Sequence, residues 1–144
     1  TSCDLAYSTK DATFATPGVN IGLFCSTPMV AVSRKISRKR MMKMLLTGEP
    51  INAKYAKEIG FVNHIYETHE ELINGAMDLA KDIASNSPLV IKGVKMMLDK
   101  GEELTADQSL DLVRMWSTSF LTSEDLKEGV FAMMEKRDPK FKGK

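Results

Sequence analysis

The sequence predicts an α/β chain in which a short β-containing head is followed by a mainly α-helical region. Three observations carry this reading. Residues 3–18, "CDLAYSTKDATFATPG", alternate small and apolar residues around the polar turn "STKDA", as two short strands joined by a tight connection would. Residues 52–66 read as helix, turn and strand. From residue 70 onward, apolar residues recur at helical spacing through four successive segments.

After the two strands, "SRKRMMKMLLTG" places Met41, Met44 and Leu45 on one helical face, with Ser37 as N-cap and Gly48 just past the end. In "NAKYAKEIG", Asn52 caps a helix whose inward face is Tyr55, Ala56 and Ile59; Gly60 stops it, and "FVNHIY" follows as a strand. The first long helix buries Leu72, Ile73, Ala76, Leu79, Ala80 and Ile83 and closes before Pro88. The second repeats the pattern with Val90, Val94, Met97 and Leu98, and ends at Gly101 as a left-handed cap. The third opens with the capping box Thr105 to Gln108 and buries Leu112, Val113, Trp116 and Phe120. The last carries the stripe Leu126, Val130, Met133 and Met134. Glu124 and Asp125 stand in its first turn, and Lys136 and Arg137 in its last, matching the helix dipole.

A chain of 144 residues supports one modest core, and 43% apolar with 27% charged residues is the balance of a folded protein. No apolar run approaches the roughly 18 residues a membrane helix needs. No leader peptide is read at the start, and an opening at "TSCDLAYS" without methionine is expected of a piece of a longer or processed polypeptide. The net charge of +1 gives no global pull toward nucleic acid or anionic membrane. Cys3 and Cys25 fit neither a zinc site nor a CxxC pair and are expected as buried thiols in a reducing compartment. A few short strands are marginal by themselves, so the head wants a covering partner. Ten methionines, concentrated in "RMMKM", "KMM" and "AMM", serve either as core filler or at adaptable interfaces.

Candidate chemistry is sparse. His64 and His69, the only histidines, lack an HExxH frame or cysteine partners and are expected at a strand end and near a helix start. No GxSxG elbow, GxGxxG string or Walker loop occurs. The pairs Glu70–Glu71, Glu102–Glu103 and Glu124–Asp125 fall near helix beginnings, where the dipole alone explains them. The basic cluster Arg34, Lys35, Arg38, Lys39, Arg40 and Lys43 has two readings: a solvated helix face, or an anion site for a cofactor phosphate or, less so, RNA, whose stacking aromatics are missing. Lys136, Arg137, Lys140, Lys142 and Lys144 invite the same pair of readings. The stretch "FATPGVNIGLFCSTP" (Phe14 to Pro28) looks like the lip of a pocket yet holds no group able to give or take a proton.

Two strings are more specific than these patterns. "SCDLAYSTKDATFATPGVNIGL" followed by "MLLTGEPINAKYAKEIGFVNHIY", with "F-x-x-x-x-D-x-x-E-G" and "EKR" near the end, resembles the C-terminal half of the crotonase superfamily of enoyl-CoA hydratases and isomerases. Among its subfamilies the enoyl-CoA hydratase domain-containing protein 3 group is most similar. The resemblance implies a ββα spiral, with residues 1–66 as the end of the spiral core and residues 67–144 as a helical region for trimerisation and completion of the CoA site. It implies acyl-CoA thioesters as substrate and no separate cofactor, with two backbone N–H groups forming an oxyanion hole for a developing enolate. It implies a homotrimer or hexamer, located in the cytoplasm if bacterial and the mitochondrial matrix if eukaryotic. Hydratases of this family use two glutamates for acid–base work, one of them directly after the position of Pro17. Here that residue is Gly18. By position Gly18, Val19 and Leu23 would line the acyl pocket, and Lys136 would reach CoA phosphates in a neighbouring subunit. The chain on its own is expected to show negligible turnover, and a noncatalytic acyl-CoA-binding or scaffold role is the alternative.

Overall fold

The computed structural model describes residues 2–144, which divide into two compact units at Met77 and Asp78. In the first unit the strands are β1 (Tyr7–Thr9), β2 (Thr13–Phe14), β3 (Ile51–Asn52) and β4 (His64–Tyr66). β1 runs parallel to β4, with Tyr7 opposite His64 and Thr9 opposite Tyr66, whereas β2 is antiparallel to β3. The two opening strands therefore do not pair with each other, as their tight connection had suggested. Each is only two or three residues long, and its hydrogen bonds go to segments about forty to sixty residues away, a choice no local pattern records. Lys10 reinforces the parallel pair, its N–H donating to the Tyr66 carbonyl (3.0 Å) and its Nζ to Glu67 Oε2 (2.6 Å).

Between β2 and β3 lie a 3-10 helix, Pro17–Ile21, then α1 (Ser26–Ser33) and α2 (Arg38–Thr47); α3 (Ala53–Glu58) links β3 to β4. The core of this unit is Val32, Ile36, Met41, Met44 and Ile59, with Leu45, Ile51, Tyr55 and Phe61 packed against it. Met41 and Met44 thus serve as core filler, the role an unbranched, adaptable side chain suits. Local chemistry fixes the helix ends as expected. Asn52 Oδ1 accepts the Tyr55 N–H at 2.8 Å, and Gly48 and Gly60 adopt left-handed φ of 65° and 78°. Ser37 occupies the N-cap position of α2 without a side-chain capping bond.

The helices α4 (His69–Ala84), α5 (Pro88–Gly101), α6 (Ala106–Leu121) and α7 (Glu124–Glu135) follow, the division between the units falling inside α4. Thr68 and Glu71 cap α4 reciprocally: the Glu71 N–H donates to Thr68 Oγ1, and the Thr68 N–H to Glu71 Oε2. The capping box of Thr105 and Gln108 forms on α6. α5 packs on α6 where Gly93, buried and without a side chain, lets the Phe120 ring lie against its backbone.

Several expected features differ. Gly101 is the last residue of α5 but is not left-handed; Glu102 ends the helix in right-handed geometry. Lys136 is itself the left-handed cap of α7 (φ 55°), and Arg137 lies beyond it, so neither is in the last turn. The stripes Val90, Val94 and Leu98 of α5, and Leu126, Val130, Met133 and Met134 of α7, are exposed, Met133 and Met134 by more than 70%. Helical periodicity locates an apolar face but does not supply the surface that covers it. Cys3 is exposed, in the irregular segment ahead of β1, and Cys25 is half-buried. Neither is the buried thiol the sequence suggested.

The residues after α7 are wired back onto the start of that helix. Asp125, 3% exposed, accepts from Ser87 Oγ (2.5 Å) and from the N–H groups of Lys142 (2.7 Å) and Gly143 (3.0 Å), and its own N–H donates to the Lys144 carbonyl. Glu128 takes a bidentate fork from Arg137 (2.6 and 3.0 Å) and the Lys140 N–H (2.8 Å). The hydrogen bond from Ser87, followed by those from the backbone, holds the Asp125 carboxyl below its ordinary range; the Arg137 fork brings Glu128 down to about 2.

Candidate functional site

The lip of residues 14–24 is shaped by backbone rather than by titratable groups. Thr16 is buried, and its Oγ1 donates to the Met44 carbonyl (3.0 Å), tying the lip to α2. Pro17 then sets the φ that a helical turn needs at its first position. Gly22, at φ 72°, reverses the chain; its N–H donates to the Val19 carbonyl, and the Leu23 N–H to the Gly18 carbonyl at 2.8 Å.

Gly18 is the buried pivot of this turn. A β-carbon there would stand 2.5 Å from Cys25 Sγ and 2.9 Å from the Leu23 carbonyl oxygen, closer than any real contact allows. No hole stands beside Gly18: the Cys25 thiol and the returning backbone occupy the space where a side chain would begin. Around this pivot the surface is apolar and open, with Val19 40% and Leu23 61% exposed. Ile21 and Phe24 continue the exposed apolar rim. Val19 and Asn20 close over Gly48, whose own β-carbon would come within 2.8 Å of Asn20 Nδ2.

Gly18, Val19 and Leu23 are thus brought together in one turn. Lys136 belongs to the second unit, exposed at the C-cap of α7. His64 opens β4, where its ring stacks at a tilt 4.6 Å from Tyr66, and His69 opens α4. Cys25 was expected as a buried thiol within a run that alters the acyl pocket, but not as the neighbour of Gly18. The only signal of that contact in the sequence was its place seven residues after Gly18, and contact across a turn cannot be read from spacing.

Residues 1–144 match the sequence profile of the enoyl-CoA hydratase/isomerase family from end to end. The chain belongs to that family. Among curated members it is 36% identical over 138 residues to the mitochondrial enoyl-CoA hydratase domain-containing protein 3 of Danio rerio, covering 96% of this chain and 47% of the relative. It is 33% identical to the mitochondrial Delta(3,5)-Delta(2,4)-dienoyl-CoA isomerase of Dictyostelium discoideum, covering 99% and 49%. Solved structures of the family superpose closely. The enoyl-CoA hydratase of Mycobacterium smegmatis gives a TM-score of 0.90 at 34% identity, covering 96% of this chain and 54% of that one. Human enoyl coenzyme A hydratase domain-containing protein 3 gives 0.87 at 38%, covering 96% and 55%. The crotonase-like fold and the likeness to the C-terminal half are therefore as the sequence strings implied. The chain spans about half the length of the family members it matches. Among the described residues, no helix is long and apolar enough to cross a membrane.

Proposed function

We propose that this chain forms the C-terminal part of a protein that handles acyl-CoA thioesters, with the turn around Gly18 bordering the acyl group. The buried, sealed Gly18 carries the reading. It leaves an apolar lip of Val19 and Leu23 with no carboxylate between them, a surface suited to an acyl chain rather than to water activation. Chemistry at such a site would rest on fixed backbone donors stabilising an enolate, with proton transfer assigned to groups other than residue 18. Coenzyme A enters as part of the substrate, with no separate cofactor, and Lys136 would meet its phosphates from a neighbouring subunit of a trimer or hexamer. The mitochondrial relatives favour a matrix location if the source is eukaryotic. The test is enoyl-CoA turnover and CoA binding by a full-length protein carrying this region; the absence of both sinks the proposal.

The filled space at Gly18 also favours a second reading, a noncatalytic acyl-CoA-binding or scaffold subunit that keeps the fold without the chemistry. It predicts CoA binding without turnover. Turnover that vanishes when a backbone oxyanion donor is disrupted would reject it.

A further inference from the structure

From the geometry we infer that the small pocket between α2 and α3 is a binding site for a phosphate-type oxyanion, built from residues other than those of the acyl lip. Its cavity of about 240 Å³ is lined by Arg40, Lys43, Thr47, Glu49, Asn52 and Tyr55, among others. Whole small-molecule sites run from about 300 to 1,000 Å³, so this one has room for a single charged group and little more.

The charge of the segment is one-sided. Between Asp11 and Glu49 the sequence has no Asp or Glu, while six Lys and Arg crowd residues 34–43. α2 in particular contains no acid. Arg40 and Lys43 are exposed, and among the described residues neither side chain has an ion-pair or hydrogen-bond partner. An ordinary solvated helix face interleaves both signs, which these turns do not.

Neutral donors stand with the two cations. The Oδ1 of Asn52 is already used by the Tyr55 N–H, which leaves its amide NH₂ available, and the half-buried Tyr55 hydroxyl has no protein partner among the described residues. Thr47 is committed, donating to the Lys43 carbonyl and accepting the Glu49 N–H. A guanidinium fork, an ammonium, an amide and a phenol can together match a tetrahedral oxyanion, the arginine bidentately. Glu49 opposes the anion and sets the strength of the site. Because both cations face water, binding is salt-sensitive.

The experiment is calorimetric titration of the intact chain with inorganic pyrophosphate at low ionic strength, with coenzyme A as a second probe and single-stranded RNA and anionic phospholipid vesicles as comparisons. Saturable pyrophosphate binding is expected, weakened about tenfold or more in the Arg40→Gln/Lys43→Gln variant at unchanged melting temperature. Glu49→Gln should bind more tightly, and Arg40→Lys should retain part of the affinity. Competition between the probes identifies the pocket as the seat of the coenzyme's phosphates; independent binding identifies a free-phosphate site. The inference is overturned if the native chain shows no saturable pyrophosphate binding, if the double variant binds equally well, or if only RNA or vesicles bind. Pyrophosphate binding and its loss in the double variant decide this site alone, whereas enoyl-CoA turnover by a full-length protein decides the acyl-CoA reading, so failure of one is distinguishable from failure of the other.

Discussion

A side chain at Gly18 has nowhere to go, and this is a sharper statement than the absence of a glutamate. The returning Leu23 carbonyl cannot retreat without opening the hydrogen bond from Leu23 to Gly18, so even one methyl overpacks the turn. Gly18→Ala is expected to cost about 1–3 kcal/mol in chemical denaturation, the usual range for overpacking. Cys25→Ala should relieve only the sulfur contact, making the double variant intermediate; full rescue would show that the backbone contact is unimportant. Gly18→Glu should not restore hydratase turnover, which an enoyl-CoA assay of a full-length protein checks. Gly48 combines a left-handed φ with a close approach to Asn20 and Val19, so Gly48→Ala should also lose about 1–3 kcal/mol. In the sequence the glycine standing where the resemblance implied an acid was legible. That its space is filled was not, since Cys25 reaches it only once the turn has closed.

Helix ends were the most readable elements, because a cap is satisfied by residues three or four positions away. The Thr105–Gln108 box and the Asn52 cap appear as the letters suggested. Thr105→Ala should destabilise α6 by about 1 kcal/mol, read as faster amide exchange in its first turn. Strand pairing was the least readable element: β1 and β2 are neighbours in sequence but each bonds a distant partner. The segment after α7 follows the same rule, its basic residues seeming free in sequence yet anchored through Asp125 and Glu128. Glu128 is held at about 2, below its ordinary 4.5, chiefly by the Arg137 fork. Its stabilising contribution is therefore complete above about pH 4.5 and is lost as the pH falls toward 2. Protection of the Lys140 amide, its exchange relative to an unstructured peptide at the same pH, should fall across that window. In Glu128→Gln protection should be low already at neutral pH; an unchanged profile would show that the carboxylate does not hold the segment.

Over the whole chain, apolar residues outnumber the places to bury them. Leu98 of α5, Met115 and Leu121 of α6, and Met133 and Met134 of α7 are each more than 65% exposed, and together they make more apolar surface than a lone folded chain ordinarily shows. Stable interfaces remove about 1,200–2,000 Å² from water, and faces of this kind are what such interfaces cover. The chain is expected to self-associate in sedimentation velocity across a concentration series; a monomer throughout would count against the trimer or hexamer. It spans half the length of its relatives and has no carboxylate on its lip, so enoyl-CoA turnover by this chain alone is expected to be negligible. Its letters by themselves determined the family, the four long helices and most helix ends, because periodicity and capping act over a few residues and the family strings lie intact in the chain; the 3-10 helix, α1 and β3 were not read from them. Only the folded structure decided which strands pair, which methionines fill the core and which stand in water, and that Gly18 is sealed by Cys25. Those outcomes depend on contacts between residues distant in sequence or across a closed turn, and no local pattern encodes such contacts.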